Sequence, residues 1–181
     1  MVKVVEVGPR LAVRPGDQRQ CKGKCVQFTR DRGWRYSFSV KTANAKPTGP
    51  WFLGLAEPDK SVWDLATDWI GFRASTPDGR IEFVARHDGE EAVDQICGAL
   101  RPEISRIFRF LWKHGGNCGP EVKAAVKDSD AEEKSFDLVL VDPKVTAHLP
   151  RGKELCSTLA LSKKSSSGSK LKPQEAILSP R

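Results

Sequence analysis

Residues Asp68 to Leu100 constrain the fold of this chain more than any other stretch, because an apolar segment, a tight turn, an alternating strand and an amphipathic run follow one another without a gap. Trp69 to Ser75 has strand character, and Thr76-Pro77-Asp78-Gly79 is a turn in which proline fixes φ and glycine accepts a positive one. Arg80 to Arg86 then alternates, with Ile81, Phe83 and Ala85 on one face and Arg80, Glu82 and Arg86 on the other. Asp88 is placed to cap a helix and Glu91 to complete a capping box. Val93, Ile96, Cys97 and Leu100 follow at helical spacing, so the pattern predicts a helix laid against a strongly bent sheet. Such an order fits a binding module better than an enzyme.

Upstream, Val2 to Val7 and Leu11 to Arg14 read as short strands divided by Gly8-Pro9. Cys25 to Arg30 and Trp34 to Lys41 read as a hairpin closed by Asp31-Arg32-Gly33. In its second strand Trp34, Tyr36, Phe38 and Val40 alternate with Arg35, Ser37, Ser39 and Lys41. Trp51 to Leu55 is apolar enough for a buried strand, and Ser61 is placed to cap a short helix through Leu65. Downstream of Pro102, a second helical stripe of Ile104, Ile107, Phe108 and Leu111 continues to His114, with Phe110 and Trp112 off the stripe. A helix over 103–113 that is apolar around most of its girth would dock on a partner. Phe136 to Val141 reads as one late strand able to join a sheet edge.

The expected organisation is a domain over 1–118, a linker with one extra strand over 119–149, and a disordered basic, serine-rich tail over 150–181. The five cysteines are odd in number and unevenly spaced, which reads as free thiols rather than a disulfide framework. With neither a leader-like apolar segment nor a membrane span, the expected location is cytoplasmic, with a membrane-peripheral or nuclear setting also open.

Charge is distributed unevenly: residues 1–50 carry +8, residues 51–104 carry −6 and the remainder +5. This predicts a basic pole and an acidic pole. Arg19, Lys22 and Lys24 precede the aromatic hairpin and Arg30, Arg32 and Arg35 flank it, so the six are candidates for holding phosphate through charge-assisted hydrogen bonds. A solvated basic surface is the plainer reading of the same residues. The aromatic row beside these arginines also fits nucleic acid. Cys21, Cys25, His114 and Cys118 are ligand types that suit zinc, but their spacing does not frame a zinc site. No catalytic motif appears, and nothing in the sequence calls for a metal or a cofactor.

About seven meandering strands followed by one helix resemble the pleckstrin-homology-like superfold. The nearest local likeness is to phosphotyrosine-binding domains of the insulin-receptor-substrate type: residues 2–7 resemble that family's first strand, residues 62–72 its Trp-x-Leu and Gly-x-Phe landmarks, and residues 79–100 its last strand and helix. The resemblance implies a mainly β, or α+β, bent antiparallel sheet closed by a C-terminal helix. It also implies a non-enzymatic adaptor binding a peptide, a phosphopeptide or a phosphoinositide membrane surface. The arginines that hold phosphate in that family are replaced here by Asp68 and Trp69. The alternatives carried forward are a nucleic-acid-binding protein and an interaction module docking through residues 103–113.

Overall fold

The computed structural model describes residues 13–28, 33–42, 47, 49–74, 80–99, 105–113, 119–128, 138–164 and 170–180. The described residues form eleven strands and one helical turn: β1 (Gln18–Phe28), β2 (Trp34–Thr42), β3 (Trp51–Ala56), β4 (Trp69–Ala74), β5 (Arg80–His87), β6 (Glu90–Ala99), β7 (Ser105–Lys113), β8 (Glu121–Asp128), β9 (Val139–Leu140), α1 (Pro143–Thr146), β10 (Lys153–Leu161) and β11 (Leu171–Pro180). They make two antiparallel sheets, one ordered β1-β10-β3-β4-β5-β6 and the other β11-β2-β7-β8-β9. The chain is therefore mainly β, as expected, but it is a sandwich of two sheets and not a single bent sheet closed by a helix.

Alternation explains the core. Tyr36, Phe38 and Val40 of β2 and Phe108, Phe110 and Trp112 of β7 meet Leu53 and Leu55 of β3, Ile70 and Phe72 of β4, and Ile81, Phe83 and Ala85 of β5, all buried. The rings interlock edge to face, with centroids 5.2 Å apart for Phe72 and Phe83 and 5.4 Å for Phe83 and Phe110. Within this apolar layer the Tyr36 hydroxyl lies 2.8 Å from Ser157 Oγ, which satisfies both buried groups. Burial pushes the Tyr36 phenol far above its ordinary pKa. On β3 and β4, Gly54 pairs with Gly71, and a Cβ added at Gly71 would lie 2.4 Å from the Leu53 carbonyl oxygen. Only glycine allows the two strands to run that close.

Several expectations are corrected by this arrangement. The strands around residues 25–28 and 34–41 exist, but they do not form a hairpin: β1 pairs with β10, and β2 pairs with β11 and β7 in the other sheet. The helix expected after Asp88 is strand β6. Asp88 and Gly89 both take positive φ, 49° and 85°, which suits a two-residue hairpin loop and brings Glu90 opposite His87. The helix expected over 103–113 is likewise strand β7. Its apolar residues off the helical stripe are accounted for by a period of two, with Phe108, Phe110 and Trp112 facing the core.

Residues expected to be a disordered tail supply β10, which lies between β1 and β3, and β11, which pairs with β2. Of the late strand expected over 136–141, Val139 and Leu140 form β9 at the edge of the five-stranded sheet. Cys25 and Cys156, facing each other on β1 and β10, are joined by a disulfide, so the reading of all cysteines as free thiols is corrected. The strands expected over 2–7 and 11–14 fall almost wholly outside the described residues; Val13 makes a single bridge to Leu171.

Candidate functional site

The outward positions of the six-stranded sheet follow from register. Phe52, Arg73, Glu82 and Gln95 share one row across β3 to β6, and Ala56, Trp69, Arg86 and Glu91 share another. The Gly54–Gly71 pair and Val84 lie between these rows, so the middle of the face is low. A strap, residues 57–68, connects β3 to β4 and crosses this face. Val62 and Ala66 of the strap pack on Phe52, Ala56, Trp69, Val84 and Ala160 in a small apolar cluster separate from the main core.

Three sets of polar contacts pin the strap. On β1, Gln18 Nε2 donates to the Lys60 carbonyl at 2.7 Å while its Oε1 accepts from the Val62 N–H at 3.0 Å. Two residues on, Gln20 Nε2 donates to the Glu57 carbonyl at 2.9 Å and its Oε1 accepts from the Asp59 N–H at 2.8 Å. At the base, the buried Glu57 carboxylate accepts from the N–H groups of Thr67 (2.7 Å) and Asp68 (3.2 Å) and from Lys60 Nζ (3.0 Å). Burial alone raises the Glu57 pKa, but the hydrogen bonds from Lys60, Thr67 and Asp68 outweigh it and hold the group below its ordinary value.

Beside this base, fully buried Asp68 accepts from Thr67 Oγ1 (3.0 Å) and the Asp88 N–H (3.2 Å) and lies 2.7 Å from His87 Nδ1. Asp68, His87 and Asp88 offer three potential ligand atoms within 4.8 Å of one another. Both Asp68 oxygens are already engaged by protein donors, so the trio reads as the lock that ties the strap to the β5–β6 turn.

Between the strap and the sheet lies a cleft of about 320 Å³ lined by Pro50, Phe52, Val62, Trp63, Trp69, Arg73, Arg86 and Glu91. Trp63 stands at its rim, 38% exposed, and Trp69 forms the wall with its ring 5.8 Å from Phe52. Arg73 bonds Glu91 through both terminal nitrogens, at 3.0 Å each, and Glu82 through Nε at 3.2 Å. Burial opposes the charge on Arg73, but Glu91 and Glu82 together keep its pKa above the ordinary value. Arg86 lies over the Trp69 ring, its guanidinium carbon 4.6 Å from the centroid. The cleft thus joins flat apolar walls to a fixed row of donors and acceptors. On the other side of Trp63 a more open cleft of about 450 Å³ is lined by Gln18, Arg19, Gln20, Asp59, Lys60 and Ser61, among others.

The residues singled out from the sequence are divided between the two sheets where they are described. Arg19, Lys22 and Lys24 belong to β1 of the six-stranded sheet, whereas Arg35 belongs to β2 of the other sheet; Arg30 and Arg32 lie outside the described residues. Of the expected docking stripe, Phe108 is wholly buried against Trp51 and Phe72, Leu111 is 2% exposed, Ile107 is half-buried, and Ile104 lies outside the described residues. No helical docking surface exists there. Cys25 is committed to its disulfide, which removes it from any zinc set; His114 and Cys118 lie outside the described residues. The cleft residues were nevertheless partly visible, because Glu82 and Arg86 stood on the polar face of an alternating strand. No sequence signal showed that the segment after β3 would fold over that face.

No family model matches the sequence, and no curated protein matches it. Solved structures do share the fold. A legume lectin-like domain from Entamoeba histolytica superposes with a TM-score of 0.61 at 9% identity, covering 98% of this chain and 87% of that one. Arcelin-5, a lectin-like defence protein from Phaseolus vulgaris, gives 0.58 at 7% identity, covering 95% and 86%. An alginate lyase from Aplysia kurodai gives 0.56 at 8% identity, covering 85% and 72%. At these identities the likeness establishes a lectin-like β-sandwich fold and no more. It overturns the resemblance to pleckstrin-homology and phosphotyrosine-binding domains, so the phosphate-binding role implied by that resemblance loses that support.

Proposed function

We propose that this chain is a carbohydrate-binding module and that the cleft under the strap holds a saccharide. The observation that carries this reading is the joining of exposed Trp63 and the Trp69 wall to the Arg73–Glu91 pair, itself braced by Glu82, within one cleft of about 320 Å³. A sugar ring has an apolar C–H face and an equatorial belt of hydroxyls. An indole matches the first, and a fork of fixed donors and acceptors matches the second. Because both Arg73 and the glutamates are held by one another, they need little further ordering when a ligand arrives, which limits the entropy lost on binding.

The lectin-like sandwich supports the same reading, since sheet neighbours that include lectin-like proteins share this architecture. The carboxylates lining the fork are committed to Arg73, an arrangement that suits holding a ligand more than moving its protons.

A glycan array probed with the full chain, followed by calorimetry on the saccharides retained, tests the proposal. Trp63→Ala should weaken binding about tenfold or more, in line with loss of an aromatic contact at a hot spot. Absence of binding to every saccharide on the array would overturn it.

A further inference from the structure

We propose that the saccharide taken by this cleft carries a carboxylate, held by Arg86 beside the Trp69 ring. The inference rests on the reading of the cleft as a saccharide site and adds the chemical class of the ligand.

Two residues that line the cleft carry buried donors without acceptors among the described residues. Trp69 is 5% exposed, and its Nε1–H is buried without a hydrogen-bond partner. Arg86 Nε is also buried without one, and no carboxylate among the described residues lies within ion-pair distance of its guanidinium. Both residues line the same space. Their lack of partners has a structural cause. Glu91 stands opposite Arg86 in the β5–β6 register, where it would ordinarily neutralise it, but both Glu91 oxygens are taken by Arg73. Glu82, the next acid on that face, is also held by Arg73.

The cleft therefore keeps one cation without a counter-charge, pressed on an indole face and partly screened from water by apolar walls. An uncompensated charge and two unsatisfied N–H groups are costly in such a place, and an acceptor that reaches the guanidinium recovers part of that cost. A planar carboxylate fits the requirement: its two oxygens accept from the guanidinium fork, with further lone pairs for the indole N–H. A neutral hydroxyl would satisfy one donor and leave the charge. Uronic and sialic acid residues both provide a carboxylate on a sugar ring, and the test separates them.

Binding of the full chain is measured by calorimetry for two matched pairs, tetragalacturonate with its carboxyl-reduced tetrasaccharide and sialyllactose with lactose. In one pair or the other the acidic member should bind about tenfold or more tightly, the advantage expected of a charge-assisted hydrogen bond. The pair that shows the preference identifies the source of the carboxylate. Arg86→Gln should abolish that preference, bringing the acidic member down to the affinity of its neutral partner measured in the same variant. Arg86→Lys, which keeps the charge without the fork, should retain part of the preference, and thermal melts of both variants check that the fold is intact. Equal binding of acidic and neutral members, or a preference that survives in Arg86→Gln, would overturn the carboxylate while leaving the saccharide reading in place. Failure of all four probes and of the glycan array would remove both.

Discussion

On β4 and β5, Ile70, Phe72, Ile81, Phe83 and Ala85 point into the sandwich and are wholly buried, whereas Trp69, Gly71, Arg73, Glu82, Val84 and Arg86, one residue along in each case, point outward beneath the strap. The inner set is apolar throughout and answers to packing alone. The outer set mixes a glycine, a valine, an indole, two arginines and a carboxylate, in a place where apolar side chains would cover the sheet at lower electrostatic cost. A face that only needed covering would not keep a partly buried ionic fork. The contrast separates residues that hold the sandwich together from residues that present chemistry.

The sharpest test of that contrast is on the inner face. Phe72→Ala should cost about 3–5 kcal/mol in denaturant unfolding, since the ring touches Phe83, Phe108 and Phe110 and leaves a void between the sheets. A loss near zero would mean that the inner face is not the stabilising one. Next comes the boundary between the faces. Gly71→Val forces a side chain against the β3 backbone, where even the Cβ falls 2.7 Å from Gly54 Cα, and should cost about 1–3 kcal/mol, read as a lowered Tm.

The clasp of the strap gives a comparable effect with a distinctive pH dependence. Glu57 has a folded-state pKa below its ordinary 4.5, so its contribution is fully present above that unfolded-state value and is lost as pH falls through the folded-state one. Glu57→Gln should lower stability at neutral pH by about 1–3 kcal/mol, as removal of a charged hydrogen-bond acceptor does, and should flatten the acid limb of the stability profile. Equal acid sensitivity in wild type and variant would assign that limb to other groups. Smallest of all, Trp63→Ala should change stability by less than about 0.5 kcal/mol, because the ring stands at the rim and not in the core. A large loss there would turn the rim tryptophan into a structural residue and weaken the division between the faces.

Much of the strand content was legible in the sequence, and the pairing was not. Alternation located β2 and β5 closely, because each has one face in the core, and apolar strand character located β4, which is buried on both faces. The same rule was available for β7, where Phe108, Phe110 and Trp112 alternate with Ile107, Arg109 and Leu111. There two of the three outward positions, Ile107 and Leu111, are themselves apolar, which let a helical stripe fit equally well. At β6 the misreading turned on Asp88, whose short polar side chain suits both a helix cap and a left-handed turn. Partnership between strands is a long-range matter: Cys25 and Cys156 are 131 residues apart, and no local pattern announces that they face each other. For the site, the polar face of β5 was visible, but the strap depends on Gln18 and Gln20, two ordinary strand glutamines whose role appears only once the segment after β3 lies over them.

The place of β10 has a kinetic meaning. Residues 153–161 sit between β1 and β3, so until that late segment arrives β1 has no neighbour in the six-stranded sheet and β3 has only β4. During synthesis, β3 and β1 wait as open edges while more than half of the chain follows, a period in which unpaired backbone invites association with other chains. The register shift of β1 between Cys21 and Cys25 makes that strand irregular as an edge, a feature that discourages such pairing until the intended partner is made.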